Sequence, residues 1–594
     1  MTTMLKWLFG LVVLFGLALA GLVFILTRPA APLAPAPLIV EVDQGRLQGG
    51  IDAKNPEILQ FNGIPYAAAP IGDLRWRAPR AHGGWQGVRA AQAFGAECLQ
   101  ARIGSSQFTK DIVKGLGLAW WKQQLASLVT TYTPAPDESE DCLFLNVRTA
   151  NVGGETAQPV MVWIHGGSHQ TGSGSNAVYQ ANQLVENGVV LVTINYRLGP
   201  LGYLAHPALS AEDPRGVSGN YGLLDQMAAL EWVRDNIAAF GGDPENITVF
   251  GESAGAQSIS EIMAASGGEG LFHKAILQSG SSTYRSVGLD TALDARFTAH
   301  EAGRIFLSNL VGEGADAADL RKIEGDDIIA ALADHPDLYY YFKPVVDGEV
   351  LPRMVGDAIM NGHVPAIPML AGYNADEATL FYAGTQSPTL IKWPFPESQA
   401  ERVALLDEIY GAADAEILRD LYGLHDPTNW DKGATDMLGD DLFGVHMRLL
   451  GRLNAESGAP TWLYHFDRVP PSPRQTLGAF HASEIFFVFD SHNPLMDLTE
   501  HDRRLTAQMG AYWTNFAKTG NPNSAGLPEW PAYGADDQWI ILGDQIATGR
   551  VRPEKLDVLE RAVTSWVYAA VPVLTPPQVF ASSGEQAGAE SLEP

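Results

Sequence analysis

The pentapeptide Gly251-Glu252-Ser253-Ala254-Gly255 is the only G-x-S-x-G sequence in the chain. It lies between residues 247–250, which favour a strand, and residues 256–265, which favour a helix. A serine on such a tight turn needs small neighbours, and the turn presents its hydroxyl at the carboxyl end of the strand. The motif therefore predicts that Ser253 is a nucleophile, and the alternative is a glycine-rich start of a helix.

A serine hydroxyl attacks poorly until a base takes its proton, so a histidine is expected after Ser253 in the order Ser, acid, His. Among the 14 histidines, His481 is the best candidate because it lies in a short loop before an apolar run that favours a strand. His465 alternates within a strand pattern and is interpreted as structural, while His492 and His501 lie in polar sequence typical of a surface.

The acid that orients this histidine is expected in the segment that follows a predicted strand at residues 368–374. Asp376 and Glu377 stand there side by side. Adjacent side chains point in different directions, so only one of the two can reach the imidazole, and the pattern leaves both open. The alternative is that they stabilise the first turn of the next helix.

Ester chemistry also requires N–H donors for the developing oxyanion. The helix that starts after Ser253 offers some, and the loop His165-Gly166-Gly167-Ser168, which leaves the carboxyl end of an apolar strand, offers others. The alternative for this loop is a simple glycine turn. Ligands bind at the carboxyl ends of strands in open parallel sheets, which favours the functional interpretation.

The elements that must hold these residues alternate between strand and helix. Residues 159–167, 189–197, 275–280 and 368–374 favour buried strands, and residues 222–237 favour an amphipathic helix. This alternation predicts an α/β fold with a mostly parallel sheet covered by helices on both faces. No internal repeat or linker divides the body.

Composition narrows the function classes. The 594 residues are 46% hydrophobic and 18% charged, which excludes a disordered, collagen-like or disulfide-scaffold chain. The net charge of −29 leaves no basic patch for nucleic acid and is interpreted as a contribution to solubility. No His-x-x-x-His pair with a carboxylate partner is evident, so we expect neither a metal nor a cofactor.

The two ends are expected to lie outside the catalytic body. Residues 7–27 carry no charge and are long enough to cross a bilayer, so residues 1–28 are predicted to be a membrane anchor with the body exported. Cleavage near Ala20 would instead give a secreted protein. Residues 29–39 are predicted to be an extended Pro/Ala spacer, and residues 575–594 a disordered tail.

The only cysteines, Cys98 and Cys142, are expected to pair in an exported body, the alternative being two free thiols.

Together these segments resemble the type-B carboxylesterases, which include the cholinesterases, from about residue 40 to residue 567. The segments that carry the resemblance are FNGIPYAAAPIGDLRWRAP, SEDCLFLNV, VMVWIHGGS, INYRLGPLGYL, GNYGLLDQMAALEWVRDNIAAFGGDPENITVFGESAG, AILQSG, PVVDG, NADEA, GAFHASEI and YWTNFAKTGNPN.

The resemblance implies an α/β-hydrolase fold in one domain at residues 40–570. It also implies the roles of individual residues: Ser253 as nucleophile, His481 as base, Glu377 as acid, Gly167, Ser168 and Ala254 as oxyanion donors, and Cys98 with Cys142 as a disulfide. The implied activity is hydrolysis of a small-molecule carboxylic ester through an acyl-enzyme. Amidase, carbamate hydrolase or lipase activity would use the same residues, and a non-catalytic adhesion protein is a further alternative.

Three positions depart from the family pattern. Ser168 replaces the third glycine of the usual HGGG, and its Cβ narrows the loop. Ala378 replaces the glycine after the acid. Tyr132 stands where cholinesterases have a tryptophan, which is evidence against choline specificity. Trp120 and Trp121 are interpreted as part of a lid or pocket wall, or of a helix packed on the body.

Overall fold

The computed structural model describes residues 32–569 except 102–111, 113, 134, 284–285, 293–295, 313, 382–397, 470–471 and 473. The predicted membrane anchor and the predicted tail lie outside these residues. Within the described part, none of the helices combines the length and the apolar character that a membrane span requires.

Seventeen strands are described. They are β1 (Ala34–Val42), β2 (Gly45–Ile51), β3 (Leu59–Pro65), β4 (Val88–Ala90), β5 (Glu97–Cys98), β6 (Glu138–Ser139), β7 (Phe144–Thr149), β8 (Gln158–Ile164), β9 (Val190–Ile194), β10 (Gly242–Glu252), β11 (Lys274–Gln278), β12 (Val287–Gly288), β13 (Val345–Val346), β14 (Met369–Asn374), β15 (Thr461–Phe466), β16 (Trp539–Leu542) and β17 (Ile546–Gly549).

The main sheet has the order β1-β2-β3-β7-β9-β8-β10-β11-β14-β15-β16-β17, with β4 paired to β2. The strands from β9 to β16 are mutually parallel, and antiparallel strands flank them at both edges. The remaining short strands pair as β5 with β6 and β12 with β13. The predicted mostly parallel α/β architecture is confirmed.

The described α-helices are α1 (Trp120–Tyr132), α2 (Gln183–Glu186), α3 (Gly199–Tyr203), α4 (Pro207–Glu212), α5 (Tyr221–Asn236), α6 (Ala254–Ala264), α7 (Ala299–Leu307), α8 (Ala317–Leu320), α9 (Gly325–Ala330), α10 (Val355–Met360), α11 (Gln399–Tyr410), α12 (Ala412–Tyr422), α13 (Trp430–Gly439), α14 (Val445–Glu456), α15 (Ile485–Phe489), α16 (Glu500–Thr519) and α17 (Pro553–Ala569). Short 3-10 helices cover Gly72–Leu74, Ala177–Tyr179, Ile237–Phe240, Ala331–Ala333, Pro336–Tyr341 and Glu377–Leu380, and a π-helix covers Asp440–Gly444.

Helices cover both faces of the sheet because successive side chains of a strand point to opposite faces. Along β8, Val162 and Ile164 join one apolar cluster, which also holds residues of α5, α6 and α14. Met161 and Trp163 join a second cluster, in which α16 is the main partner. The continuous apolar runs of the parallel strands thus follow from burial on both sides.

The first strand begins earlier than expected. β1 starts at Ala34 and pairs antiparallel with β2, with Ala34 opposite Ile51. Residues 34–39, assigned from sequence to the spacer, therefore belong to the sheet. The Pro/Ala composition did not reveal this because proline is tolerated on an edge strand, where one row of N–H groups needs no partner.

Candidate active site

The predicted functional residues meet at the carboxyl ends of neighbouring parallel strands. Ser253 follows β10, Glu377 lies in the turn after β14, and His481 lies in the loop after β15. The glycine loop with Gly167 and Ser168 follows β8, which pairs with β10. Parallel pairing is what gathers these ends at one edge, so residues more than 300 positions apart along the chain share one site.

Ser253 occupies a strained turn between β10 and α6. Its φ of 54° and ψ of −123° fall outside the usual regions for a residue with a side chain. The N–H of Ser253 donates to the carbonyl of Gln278 at 2.9 Å, which fixes the turn against β11. A Cβ at Gly255 would overlap the carbonyl oxygen of Ile164, and one at Gly251 would lie 2.7 Å from the backbone of Gly255. Both glycines of the motif thus have the steric role that the sequence predicted.

His481 is buried and contacts one acid through each of its ring nitrogens. Its Nδ1 lies 2.6 Å from Oε2 of Glu377, and its Nε2 lies 3.1 Å from Oε1 of Glu252. Burial opposes the charged imidazolium, but Glu252 and Glu377 outweigh burial and raise the pKa of His481 to about 9. Both carboxyl groups therefore favour the charged form of this histidine.

Glu377 itself is held by two further donors. Its Oε1 accepts from the backbone N–H of Asn374 at 2.7 Å and from Oγ of Ser279 at 2.5 Å. Asp376 turns away from the imidazole, and its Oδ2 accepts from the N–H of Ala479 at 2.8 Å. The structure thus brings Glu377, and not Asp376, to His481, while Asp376 ties down the loop that carries the histidine.

Glu252 is the contact that the sequence reasoning missed. It is 5% exposed, and burial raises its pKa to about 8 against the lowering effect of His481, with repulsion from Glu484 and Glu377 adding to the rise. Its place beside Ser253 in the G-x-S-x-G motif was the available signal. The alternation of β10 alone could not show that its carboxyl group faces the histidine loop.

The glycine loop after β8 lies directly beside Ser253. A Cβ at Gly166 would lie 3.1 Å from Cβ of Ser253. Gly167 has a φ of 108° and Ser168 a φ of 56°, so the serine at the third position does adopt the backbone that a glycine would favour. Among the described residues, the N–H groups of Gly167 and Ser168 donate to no protein acceptor. Ala254 starts α6, where the N–H likewise has no intrahelical acceptor.

A buried hydrogen-bond network supports this edge of the sheet. Glu484 is fully buried and accepts from Nε2 of Gln278 at 2.9 Å and from Nδ2 of Asn374 at 2.6 Å. Burial raises the pKa of Glu484, and the nearby Glu377 adds to it. Trp513 donates to Gln278 at 3.0 Å, which links the network to α16. Glu484 stands three residues after His481, but no motif or spacing in the sequence singles it out.

Two aromatic rings lie against the imidazole of His481. The ring centroid of Phe443 is 4.6 Å away and that of Phe381 is 5.0 Å away. Phe443 belongs to the π-helix, a feature often found at functional sites.

The apolar run after His481 is predicted from sequence to be a strand, and this prediction is wrong. The run forms α15 (Ile485–Phe489). An apolar run this short does not distinguish a strand from a buried helix.

Trp120 and Trp121 begin α1 and are 73% and 52% exposed. The alternative of a helix packed on the body agrees with α1, which contacts the body through Lys122, bound to Asp497 at 2.7 Å. The two tryptophan side chains themselves are exposed. Cys98 and Cys142 form the predicted disulfide, with their Cα atoms 4.9 Å apart.

Among the described residues, one group of three side chains could hold a metal: Glu416, Asp420 and His425. All three are exposed, and Glu416 already pairs with Arg419 at 2.6 Å. None of them belongs to the strand ends around Ser253.

The model of the carboxylesterase family matches residues 36–557. The chain belongs to the carboxylesterase family. It is 32% identical over 567 residues to a fumonisin B1 esterase of Sphingopyxis macrogoltabida, covering 92% of this chain and 96% of that protein. It is 34% identical over 529 residues to a para-nitrobenzyl esterase of Bacillus subtilis, covering 87% of this chain and 96% of that protein.

Solved structures agree with this membership. A PNB esterase structure superposes with a TM-score of 0.71 at 32% identity, covering 88% of this chain and all of that one. The α/β-hydrolase fold implied by the resemblance is therefore confirmed, and this carboxylesterase-family protein is a carboxylic ester hydrolase.

Proposed function

We propose that the protein hydrolyses small-molecule carboxylic esters through a covalent acyl-enzyme on Ser253, with His481 as the base and Glu377 as the acid that orients it. The observation that carries the proposal is the 2.6 Å contact between Glu377 and Nδ1 of His481, while Nε2 faces Glu252, the residue directly before Ser253. A base oriented by a buried acid beside a serine on a tight turn is the arrangement that acyl transfer needs.

In the first half of the reaction, Nε2 of His481 takes the hydroxyl proton while Oγ of Ser253 attacks the ester carbonyl carbon. The carbonyl oxygen becomes negatively charged and accepts hydrogen bonds from the N–H groups of Gly167, Ser168 and Ala254. As the bond to the alkoxy group breaks, the imidazolium returns its proton to that oxygen, and the alcohol leaves. The acyl group remains on Ser253.

In the second half, water replaces the alcohol. His481 takes a proton from the water, the hydroxide attacks the acyl carbon, and the same N–H groups hold the oxyanion. Collapse of this intermediate returns the proton to Oγ of Ser253 and releases the carboxylic acid. Glu377 keeps Nδ1 protonated throughout and stabilises the imidazolium, without itself taking the proton.

Replacement of the nucleophile tests the proposal. Ser253→Ala should lower kcat for a p-nitrophenyl ester by about 10⁶-fold and should abolish labelling by a fluorophosphonate. Ser308→Ala, a change on the exposed end of α7, is the matched control and should react and label as the parent does. Parental activity of Ser253→Ala would overturn the assignment.

The preferred ester depends on the shape of the pocket and not on the triad. The relatives named above make para-nitrobenzyl esters and fumonisin B1 the first substrates to compare. A series of esters varied separately in acyl and alcohol size, with matched amides and carbamates, would rank the chemistries that these residues allow. Attachment to a membrane through residues 7–27, with the body exported, stays a prediction from the sequence.

A further inference from the structure

Two consecutive residues of the glycine loop carry side chains on a left-handed backbone. Ser168 has a φ of 56° and His169 a φ of 60°. Residues with a Cβ rarely adopt this conformation, which glycine adopts freely. The N–H of Ser168 is one of the proposed oxyanion donors, and the direction of this N–H depends on the left-handed backbone of Ser168. Since a serine does not prefer that conformation, contacts from outside the loop must stabilise it.

The structure supplies that restraint through His169. This residue is 2% exposed, and its carbonyl oxygen accepts from the N–H of Gly199 at 2.7 Å. Its Nε2 lies 3.1 Å from Oγ of Ser258 on α6, the helix that begins immediately after the nucleophile. The imidazole also packs against the Tyr203 ring in an edge-to-face arrangement, with the ring centroids 5.3 Å apart. His169 thus ties the loop both to α3 and to the helix next to Ser253.

The contact with Ser258 allows the serine hydroxyl to donate to the imidazole. Oγ of Ser258 already accepts from Nε2 of Gln226 at 3.1 Å, so its own proton is available for His169. Burial lowers the pKa of His169 to about 3, and the positive charge of Lys343 adds to the effect, so the imidazole is neutral and can accept. Oε2 of the buried Glu261 lies 4.0 Å from Nε2 of His169.

We propose that His169 is a positioning residue of the oxyanion hole, which holds the strained Ser168 so that its N–H faces the substrate carbonyl. The proposal rests on the proposed function, because it presumes that the N–H of Ser168 meets an oxyanion formed at Ser253. It also accounts for the departure from the family's glycine: a serine at position 168 is usable here because the neighbouring histidine is anchored to α6.

A double-mutant cycle tests the proposal. His169→Phe keeps an aromatic ring but removes the acceptor for Ser258, and kcat for p-nitrophenyl acetate should fall about tenfold with KM unchanged, as expected for weakening one oxyanion donor. In a Ser168→Gly background, the same change should lower kcat by about threefold or less, because glycine reaches a positive φ without the restraint. Thermal unfolding of each variant checks that it is folded.

Two further variants separate this role from a general effect on packing. Ser168→Ala keeps the Cβ and removes the hydroxyl. His169→Phe should therefore lower kcat by the same factor in the Ser168→Ala background as in the parent. Ser258→Ala removes the donor from outside the loop and should reproduce most of the loss seen in His169→Phe, with the two losses not additive. Equal losses from His169→Phe in the serine and glycine backgrounds, or a rise in KM alone, would overturn the proposal.

The proposed function can fail independently. Should Ser253→Ala retain activity in the same assay, the proposed function is wrong. Equal losses across the cycle while Ser253→Ala is inactive would reject only the positioning role of His169.

Discussion

Oε2 of Glu377 lies 2.6 Å from Nδ1 of His481, while the adjacent Asp376 accepts from the N–H of Ala479 in the loop that carries the same histidine. Two neighbouring acids thus serve one loop in different ways. The first contacts the imidazole, and the second contacts the backbone. The sequence placed them side by side without distinguishing them, and this difference gives the first prediction.

Neutralising each acid separately distinguishes the two. Glu377→Gln should lower kcat about 10³- to 10⁴-fold, because an amide cannot favour the tautomer of His481 that keeps Nε2 free. Asp376→Asn keeps an acceptor for Ala479 and should change kcat by about threefold or less. Steady-state kinetics on a p-nitrophenyl ester measures both. A larger loss in Asp376→Asn than in Glu377→Gln would reverse the assignment.

Glu252 should influence the pH at which His481 becomes a base. Its carboxylate, 3.1 Å from Nε2, favours the imidazolium and so raises the pKa of the histidine. Glu252→Gln removes that charge, so the pKa of His481 falls and the acid limb of the kcat/KM profile moves to lower pH. The exposed Glu245→Gln is the control and should leave the limb in place. The pH profile of each variant is measured by titrating the released acid in a pH-stat. An acid limb of Glu252→Gln that stays in place or moves to higher pH would contradict this role of Glu252.

Ser279 should matter through the acid that it binds. Its Oγ donates to Oε1 of Glu377 at 2.5 Å. Loss of a hydrogen bond to a charged group costs about 1.5–3 kcal/mol, so Ser279→Ala should lower kcat about 10- to 100-fold with little change in KM. Ser281→Ala is a matched control, because Ser281 is equally buried but its Oγ has no partner among the described residues. Similar kinetics in the two variants would show that the contact to Glu377 is unimportant.

The disulfide should contribute to stability. It closes a loop with a sequence separation of 44 residues, and the chain-entropy relation gives about 4 kcal/mol for such a loop. Replacing Cys98 and Cys142 together by alanine should lower the free energy of unfolding in urea by about that amount. Addition of a thiol reductant to the parent should shift the transition in the same direction. A change below about 1 kcal/mol would show that the chain is equally well restrained without the bond.

The exposed tryptophans should contribute little to folding. Trp120 and Trp121 are 73% and 52% exposed, and surface substitutions usually change stability by about 0.5 kcal/mol or less. Trp120→Ser and Trp121→Ser should therefore leave the thermal unfolding midpoint nearly unchanged. Trp163→Ser, at a buried site in β8, is the contrasting variant and should destabilise strongly. A large effect of either exposed change would indicate contacts with another part of the protein.

The sequence by itself determined the architecture and named most residues of the candidate site. Short apolar runs alternating with amphipathic helices reflect burial on both faces of a parallel sheet, so β8, β9, β10, β11 and β14 could be predicted from local pattern. The turn at Ser253 could be predicted for a similar reason. Its glycines are required by contacts within a few residues and with the adjacent strand, and such requirements leave a mark on the sequence.

Only the tertiary structure decided which side chains touch. The contact between Glu377 and His481 joins residues 104 positions apart. That Glu377, and not Asp376, reaches the imidazole depends on the direction of the backbone after β14, which pairs with β15. The approach of Glu252 to the same imidazole and the helical state of α15 likewise depend on packing between distant segments. Local patterns record the burial of a residue, but not the direction from which a partner far along the chain arrives.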